Sequence, residues 1–219
     1  MQIAYVVVPD VHGQPEFLEW VEESFPGRSL ILLGDLIHRG PDSRRCLRKA
    51  LAWSDEGRAV LLWGNHECWV EEEGLSLKGS AREDWFRQQE PEMLEQYRVA
   101  GEGMAQLIHD FERFSAVARP YVVEGDMLCS HAARPSFGAV LDEILDLSHL
   151  HNRPVTGQHP LPIDSFPALT YSVHGHTTLP APVVDLDGEG VVFLDLGSSR
   201  TGRFCVWDAE YKRVVLYED

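Results

Sequence analysis

The chain opens on an almost unbroken apolar run, Ile3 to Val8, closed by Pro9 and followed by Asp10-Val11-His12-Gly13. Continuous β-branched sequence of this length predicts a strand buried on both faces. Pro15 to Phe25 places Phe17, Leu18, Val21 and Phe25 at helical spacing, an amphipathic stripe. Leu30–Leu33 predicts a second buried strand, about Pro41 to Trp53 a helix with Cys46, Leu47, Ala50 and Leu51 inward, and Ala59–Trp63 a third strand. The order β-α-β-α-β predicts parallel strands with right-handed crossovers. In such sheets ligands collect beyond the carboxyl ends of the strands.

From Val70 to about Phe114 acidic, helix-favouring stretches alternate with Gly74, Gly79, Pro91 and Gly101, which predicts an insertion of several short helices. Its plainer use is to cover one face of the sheet; its sharper use is to wall a cleft with Trp69, Trp85, Phe86 or Tyr97. Strands then return at Tyr121–Glu124 and Asp126–Ser130 around a Gly125-Asp126 turn, with a short helix expected over Gly138–Leu147 and irregular chain over residues 149–168. A strand at Leu169–Val173 runs into His174-Gly175-His176-Thr177. Val183–Leu186, Val191–Leu196, Arg203–Trp207 and Val214–Tyr217 complete the chain as an expected antiparallel meander. With no repeat or linker, the pattern predicts one α/β domain over residues 1–219, with a helical insertion at about 70–114.

Composition narrows the partners. Apolar residues make up 44% of 219, enough for one core. Nineteen Lys+Arg against 35 Asp+Glu give a formal charge of -16, a field that repels nucleic-acid backbone and anionic membrane. A phosphorylated ligand needs bound cations or selected arginines to invert that sign locally. Cys46, Cys68, Cys129 and Cys205 are scattered and read as reduced, buried thiols. Nothing at the N-terminus resembles a signal peptide and no apolar run could span a bilayer, so a soluble cytoplasmic protein is the expectation. Oligomeric state leaves no trace in the pattern.

The chemistry gathers at strand exits. Leu30–Leu33 breaks at Gly34 and delivers Asp35 into a turn, with Arg39 four residues on. Asp10, His12, Asn65, His66, His131 and His176 follow other apolar runs, mostly beside glycine or another small residue. Taken singly, each histidine reads as structural or surface chemistry. Seven such groups at strand exits read together as metal ligands. Mixed carboxylate, imidazole and amide donors suit Mn²⁺, Fe or Zn²⁺ better than Ca²⁺. The set is too large for one ion and divides into two with Asp35 shared, an arrangement suited to in-line phosphoryl displacement.

Asp10-Val11-His12-Gly13, Gly34-Asp35-x-x-x-Arg39-Gly40, Gly64-Asn65-His66-Glu67, His131 and Gly175-His176-Thr177 together resemble the metallophosphoesterase signature. More narrowly they resemble the phosphoprotein phosphatase branch, in particular its small bacterial and phage-lambda-like members, whose motifs symmetrical diadenosine tetraphosphatases share. The resemblance implies a four-layer α/β/β/α sandwich and a dinuclear site, with Mn²⁺ the expected metal. Asp10, His12 and Asp35 would hold one ion, and Asp35, Asn65, His131 and His176 the other. It implies direct hydrolysis by a dimetal-bridged hydroxide, with Asp35, Arg39 and His66 as catalytic residues. His66 would protonate the leaving oxygen, and Arg39, Asn65, His66 and Arg153 would hold the phosphate. Thr178 follows Gly175-His176-Thr177 where other branches carry a further histidine, so His174 is not expected to be a ligand.

The chain departs from the pattern in two places. His38 stands where the family carries the aspartate that orients the histidine matching His66; a neutral His38 could accept the same hydrogen bond, whereas a protonated one would depress the pKa of His66. Pro9 replaces a glycine before Asp10. The implied activity is hydrolysis of phosphate monoesters, with a serine/threonine phosphoprotein as the leading substrate class and diadenosine tetraphosphate or another nucleotide as the alternative. A metal-binding module without catalysis is a third reading, against which the full ligand set and Arg39 argue.

Overall fold

A computed structural model describes residues 4–135, 148–153 and 168–218. Strand β1 (Tyr5–Val8), helix α1 (Pro15–Ser24), β2 (Ser29–Leu32), α2 (Ser43–Asp55) and β3 (Ala59–Leu61) follow the predicted order. Pro15 opens α1 where its missing N–H costs nothing. Asp42 caps α2 by accepting from Arg45 N at 2.9 Å. β1, β2 and β3 pair in parallel, Tyr5 opposite Ser29 and Leu30 opposite Ala59.

The insertion is helical throughout. α3 (Asn65–Trp69) runs into a widened π-turn at Val70–Leu75, closed by Ser76 N bonding to Glu71 O at 3.1 Å. Then come α4 (Ser80–Gln89), α5 (Pro91–Val99) and α6 (Met104–Val117). Phe86 and Tyr97 are fully buried. The insertion is tied to α2 by Arg44 and Arg48 on Glu102 and by Arg48 on buried Asp110, which also accepts from Tyr97 Oη. Phe86 and Tyr97 therefore serve packing, while Trp69 stays partly exposed beside the strand exits.

β4 (Tyr121–Glu124) and β5 (Met127–Ser130) form the expected hairpin. β6 (Tyr171–His174), β7 (Val183–Asp185) and β8 (Val191–Phe193) join them in a second sheet of order β4-β5-β6-β8-β7, with β5, β6 and β8 parallel. A short helix α7 (Ser198–Thr201) then leads the chain to β9 (Cys205–Asp208) and β10 (Arg213–Leu216), which extend the first sheet beside β1. The final strands are thus two hairpins in different sheets and not one meander. Asp195-Leu196-Gly197, with Gly197 in the left-handed region, turns the chain from one sheet to the other. The short helix expected over Gly138–Leu147 lies outside the described residues.

Period-two burial sets the layers. Tyr5, Val7, Ile31 and Leu33 face Val122, Cys129, Val173, Val192 and Trp207 between the sheets. Val6, Val8, Leu30 and Leu32 face the helices with Phe17, Leu18, Leu47 and Phe114. Two stacked mixed sheets with helices packed on the first give the α/β sandwich that the resemblance implies, and three of its four α/β/β/α layers lie among the described residues. No helix among the described residues is long and apolar enough to cross a membrane.

Trp207 is the largest fully buried side chain among the described residues and lies in the inter-sheet layer. Trp207→Ala is expected to destabilise the fold by about 3–5 kcal/mol. Val184→Ala on the exposed edge strand should stay within about 0.5 kcal/mol. Denaturant unfolding of both variants measures the contrast.

Candidate metal centre and active site

The exits of β1, β2, β3, β5 and β6 meet at one place because each turn is bonded to its neighbour. His12 N donates to Asp35 O at 2.9 Å and Gly13 N to Leu36 O at 2.8 Å. The buried Glu67 carboxylate accepts from Asp35 N and Leu36 N at 2.8 Å, and from Ile37 N and Gly64 N at 3.2 Å. Two glycines permit the approach: a Cβ on Gly64 would lie 2.1 Å from Asp35 N, and one on Gly175 would lie 2.0 Å from Asp10 Oδ2. Five non-glycine site residues take left-handed backbone: His12 (φ 46°), Asp35 (50°), His38 (68°), Arg39 (68°) and His176 (60°). Such conformations cost on the order of 1–3 kcal/mol each and persist only where surrounding bonds over-determine them.

Asp35 is the shared centre. Donor atoms of His12, Asp35 and His66 lie within 4.8 Å of one another, as do those of Asp35, His131 and His176. His12 Nε2 is 3.5 Å and His66 Nε2 3.9 Å from Asp35 Oδ2, while His131 Nε2 is 3.5 Å from Asp35 Oδ1. His131 Nε2 also lies 3.1 Å from Asn65 Oδ1. Asp10 falls in neither triad; its carboxylate accepts from His176 N at 3.0 Å, beside both.

The donors fit divalent cations. His12 Nδ1 donates to Ile37 O at 3.1 Å and His131 Nδ1 to Leu33 O at 2.9 Å, so in each neutral ring Nε2 turns a lone pair inward. At His131 that lone pair faces the Asn65 and Asp35 oxygens, acceptor against acceptor. His176 Nε2 is buried without a hydrogen-bond partner. Such crowding is costly unless a cation lies among the acceptors.

Electrostatics agree. Burial drives His12 down to about 4, helped by the Arg39 charge, and His176 down to about 4, helped by Arg153. Burial also lowers His131 well below its usual value. These rings are neutral, as metal ligation requires. Asp10 is raised by burial and by the Asp195 and Asp35 charges, and Asp35 by burial and Glu67. Cations would relieve both carboxylates.

Arg39 stands at the mouth, with its two terminal nitrogens 2.8 Å from His12 Nε2 and 3.0 Å from His66 Nε2. Together with Asp35, Asn65, Arg153, His176, Thr178 and Arg200 it lines a cavity of about 240 Å³. All nine residues singled out in the sequence therefore meet here, Arg153 included. His174 lies apart, bonded to Ser130 and Ser172. Sequence reasoning missed the cradle role of Glu67, although it sits inside the quoted motif. It also missed Glu90 and Arg200, for which no local signal exists.

Chelator-treated protein is expected to gain about 5–10 °C in Tm on saturation with Mn²⁺ or Zn²⁺, the size that about 2–3 kcal/mol of ligand linkage produces at this length. Asp35→Asn should abolish most of that gain. Differential scanning fluorimetry checks both, and an unchanged wild-type Tm would contradict the site.

Comparison with known proteins places this geometry in context. Over 71 residues, 30% of this chain, the sequence is 44% identical to the zinc-dependent endopolyphosphatase of Saccharomyces cerevisiae, covering 21% of that protein. Over 86 residues, 37% of the chain, it is 37% identical to the symmetrical bis(5'-nucleosyl)-tetraphosphatase of Delftia acidovorans, covering 30% of it. The chain thus aligns with less than a third of the length of these curated relatives. A solved structure provisionally named a diadenosine tetraphosphatase superposes with a TM-score of 0.65 at 16% identity, covering 99% of this chain and 94% of that one, a likeness of fold. The model of the calcineurin-like phosphoesterases matches residues 3–203. With nearly the whole chain matched, the protein belongs to the calcineurin-like phosphoesterase family, a family of metal-dependent phosphoester hydrolases.

Proposed function

We propose that the chain hydrolyses phosphate monoesters, with phosphorylated serine or threonine side chains as its substrate class. The observation that carries the proposal is Asp35, shared by two ligand triads within reach of the Arg39 guanidinium. Asp10, His12 and Asp35 are assigned to one ion, and Asp35, Asn65, His131 and His176 to a second; Mn²⁺, Fe and Zn²⁺ all suit this donor set. When bound, the pair supplies a nucleophile of lowered pKa and neutralises charge on the phosphoryl oxygens.

The chain's own residues do the rest. Arg39 and Arg153 clamp the phosphate with planar guanidinium donors from the rim of the cavity. His66 stands beside Arg39 to protonate the leaving oxygen. Burial, with the Arg39 charge beside it, pushes His66 down to about 2, so its ring is neutral. A phosphate dianion held against Arg39 reverses the local field and restores proton affinity.

A peptide substrate is supported by the neighbouring cavity of about 300 Å³, which continues from Arg39 past His38 and Trp69 to Glu90 and Glu92. Its indole and the exposed Glu92 carboxylate suit apolar or basic residues flanking a phosphorylated side chain, and not further phosphates. A second reading, hydrolysis of dinucleoside polyphosphates, is favoured by Arg200, which adds a third guanidinium to the phosphate cavity.

Metal-loaded protein is expected to turn over p-nitrophenyl phosphate, and Asp35→Asn should remove that activity. Arg39→Ala should lower kcat/KM by about 10²-fold, the loss of roughly 3 kcal/mol of oxyanion contact. His66→Asn should cost most with poor leaving groups, and equal losses on good and poor ones would reject its acid role. Relative kcat/KM on a phosphopeptide and on diadenosine tetraphosphate decides between the two substrate classes.

A further inference from the structure

His38 occupies the place from which an aspartate would otherwise steady His66, and it does not act alone. Its Nδ1 lies 2.6 Å from His66 Nδ1 and its Nε2 2.8 Å from Glu90 Oε1. Glu90 is 4% exposed, and among the described residues His38 is the one side-chain partner found for its carboxylate. A buried carboxylate demands a donor. His38 must therefore place a proton on Nε2, which in the neutral ring leaves Nδ1 as an acceptor. Two ring nitrogens 2.6 Å apart cannot both be bare or both protonated, so His66 carries its proton on Nδ1. His66 Nε2 then faces Arg39, whose Nη2 approaches it at 3.0 Å.

The backbone holds Glu90 for this purpose. It sits at the break between α4 and α5 (φ -121°, ψ 44°), where Pro91 begins the next helix. A residue before proline is pushed out of helical conformation. Glu90 N still bonds to Phe86 O and Glu90 O to Leu94 N, so the break is rigid at both ends. Trp69 packs edge-on against the His38 ring at 6.0 Å and shields the pair from one side.

We infer that Glu90, supplied by the helical insertion, is a positioning residue that acts through His38 to fix the tautomer and orientation of His66. The inference rests on the acid role proposed above for His66. The relay Glu90–His38–His66 replaces a single carboxylate with two residues from distant segments. It gives the insertion a part in the chemistry beyond packing.

Nitrogen NMR of the imidazoles in metal-free protein, above neutral pH, tests the relay without any turnover. Wild type should show His66 protonated on Nδ1 and His38 on Nε2. Glu90→Met, which removes the acceptor but keeps the volume, should turn His66 into a tautomer mixture. Metal-loaded Glu90→Met should lose about 10-fold or more in kcat on an alkyl phosphate, with KM unchanged. The loss on p-nitrophenyl phosphate should stay under about 3-fold, because a good leaving group needs little acid help. In a His38→Asp background, where the new carboxylate reaches His66 directly, Glu90→Met should have no further effect. A wild-type His66 protonated on Nε2, or equal kinetic losses in both backgrounds, would overturn the relay. Inertness of wild type towards every ester would overturn the hydrolase proposal and leave the tautomers to decide the relay by themselves.

Discussion

The structure depends on a buried excess of acceptors around one carboxylate. Asp35 lies between two sets of neutral imidazoles, with Asp10, Glu67 and Asp195 close enough to raise the proton affinity of the cluster. So many inward-facing lone pairs in one cluster are costly unless something positive lies among them. The backbone makes the same point independently. Five side-chain-bearing residues are held in left-handed conformation around this centre, a cost that a merely structural turn would avoid with glycine.

Glu67 shows how the cluster is held together. A single carboxylate collects the amides of Asp35, Leu36, Ile37 and Gly64, four donors that the turn after β2 and the start of α3 would otherwise bury unpaired. It fixes the two loops that carry Asp35 and Asn65 against each other. The close contact of Gly64 with Asp35 N leaves no room for another spacing. The geometry around Asp35 is thus set by main-chain bonding, which is stiffer than side-chain packing alone.

Much of this was legible in the sequence, because strand-length apolar runs ended in glycine, carboxylate or imidazole at every exit. The parallel β1-β2-β3 order followed from the alternating periodicity, and the convergence of Asp10, His12, Asp35, Asn65, His66, His131 and His176 followed from the rule that such sheets bind at their carboxyl edge. What escaped was long-range. Which sheet the last strands join depends on the turn at Gly197, and periodicity carries no information on pairing partners. Glu90 is one acid among many in an acidic insertion, and only the tertiary placement of α4 and α5 brings it to His38. Arg200 reaches the cavity beside Asp35 from a four-residue helix that no pattern announces.

Anomalous scattering from a crystal soaked in Mn²⁺ tests the central claim most directly. Two peaks about 3.5–4 Å apart, with the Asp35 carboxylate between them and His131 and His176 on one side, are the predicted result. A single peak, or peaks remote from Asp35, would contradict the account.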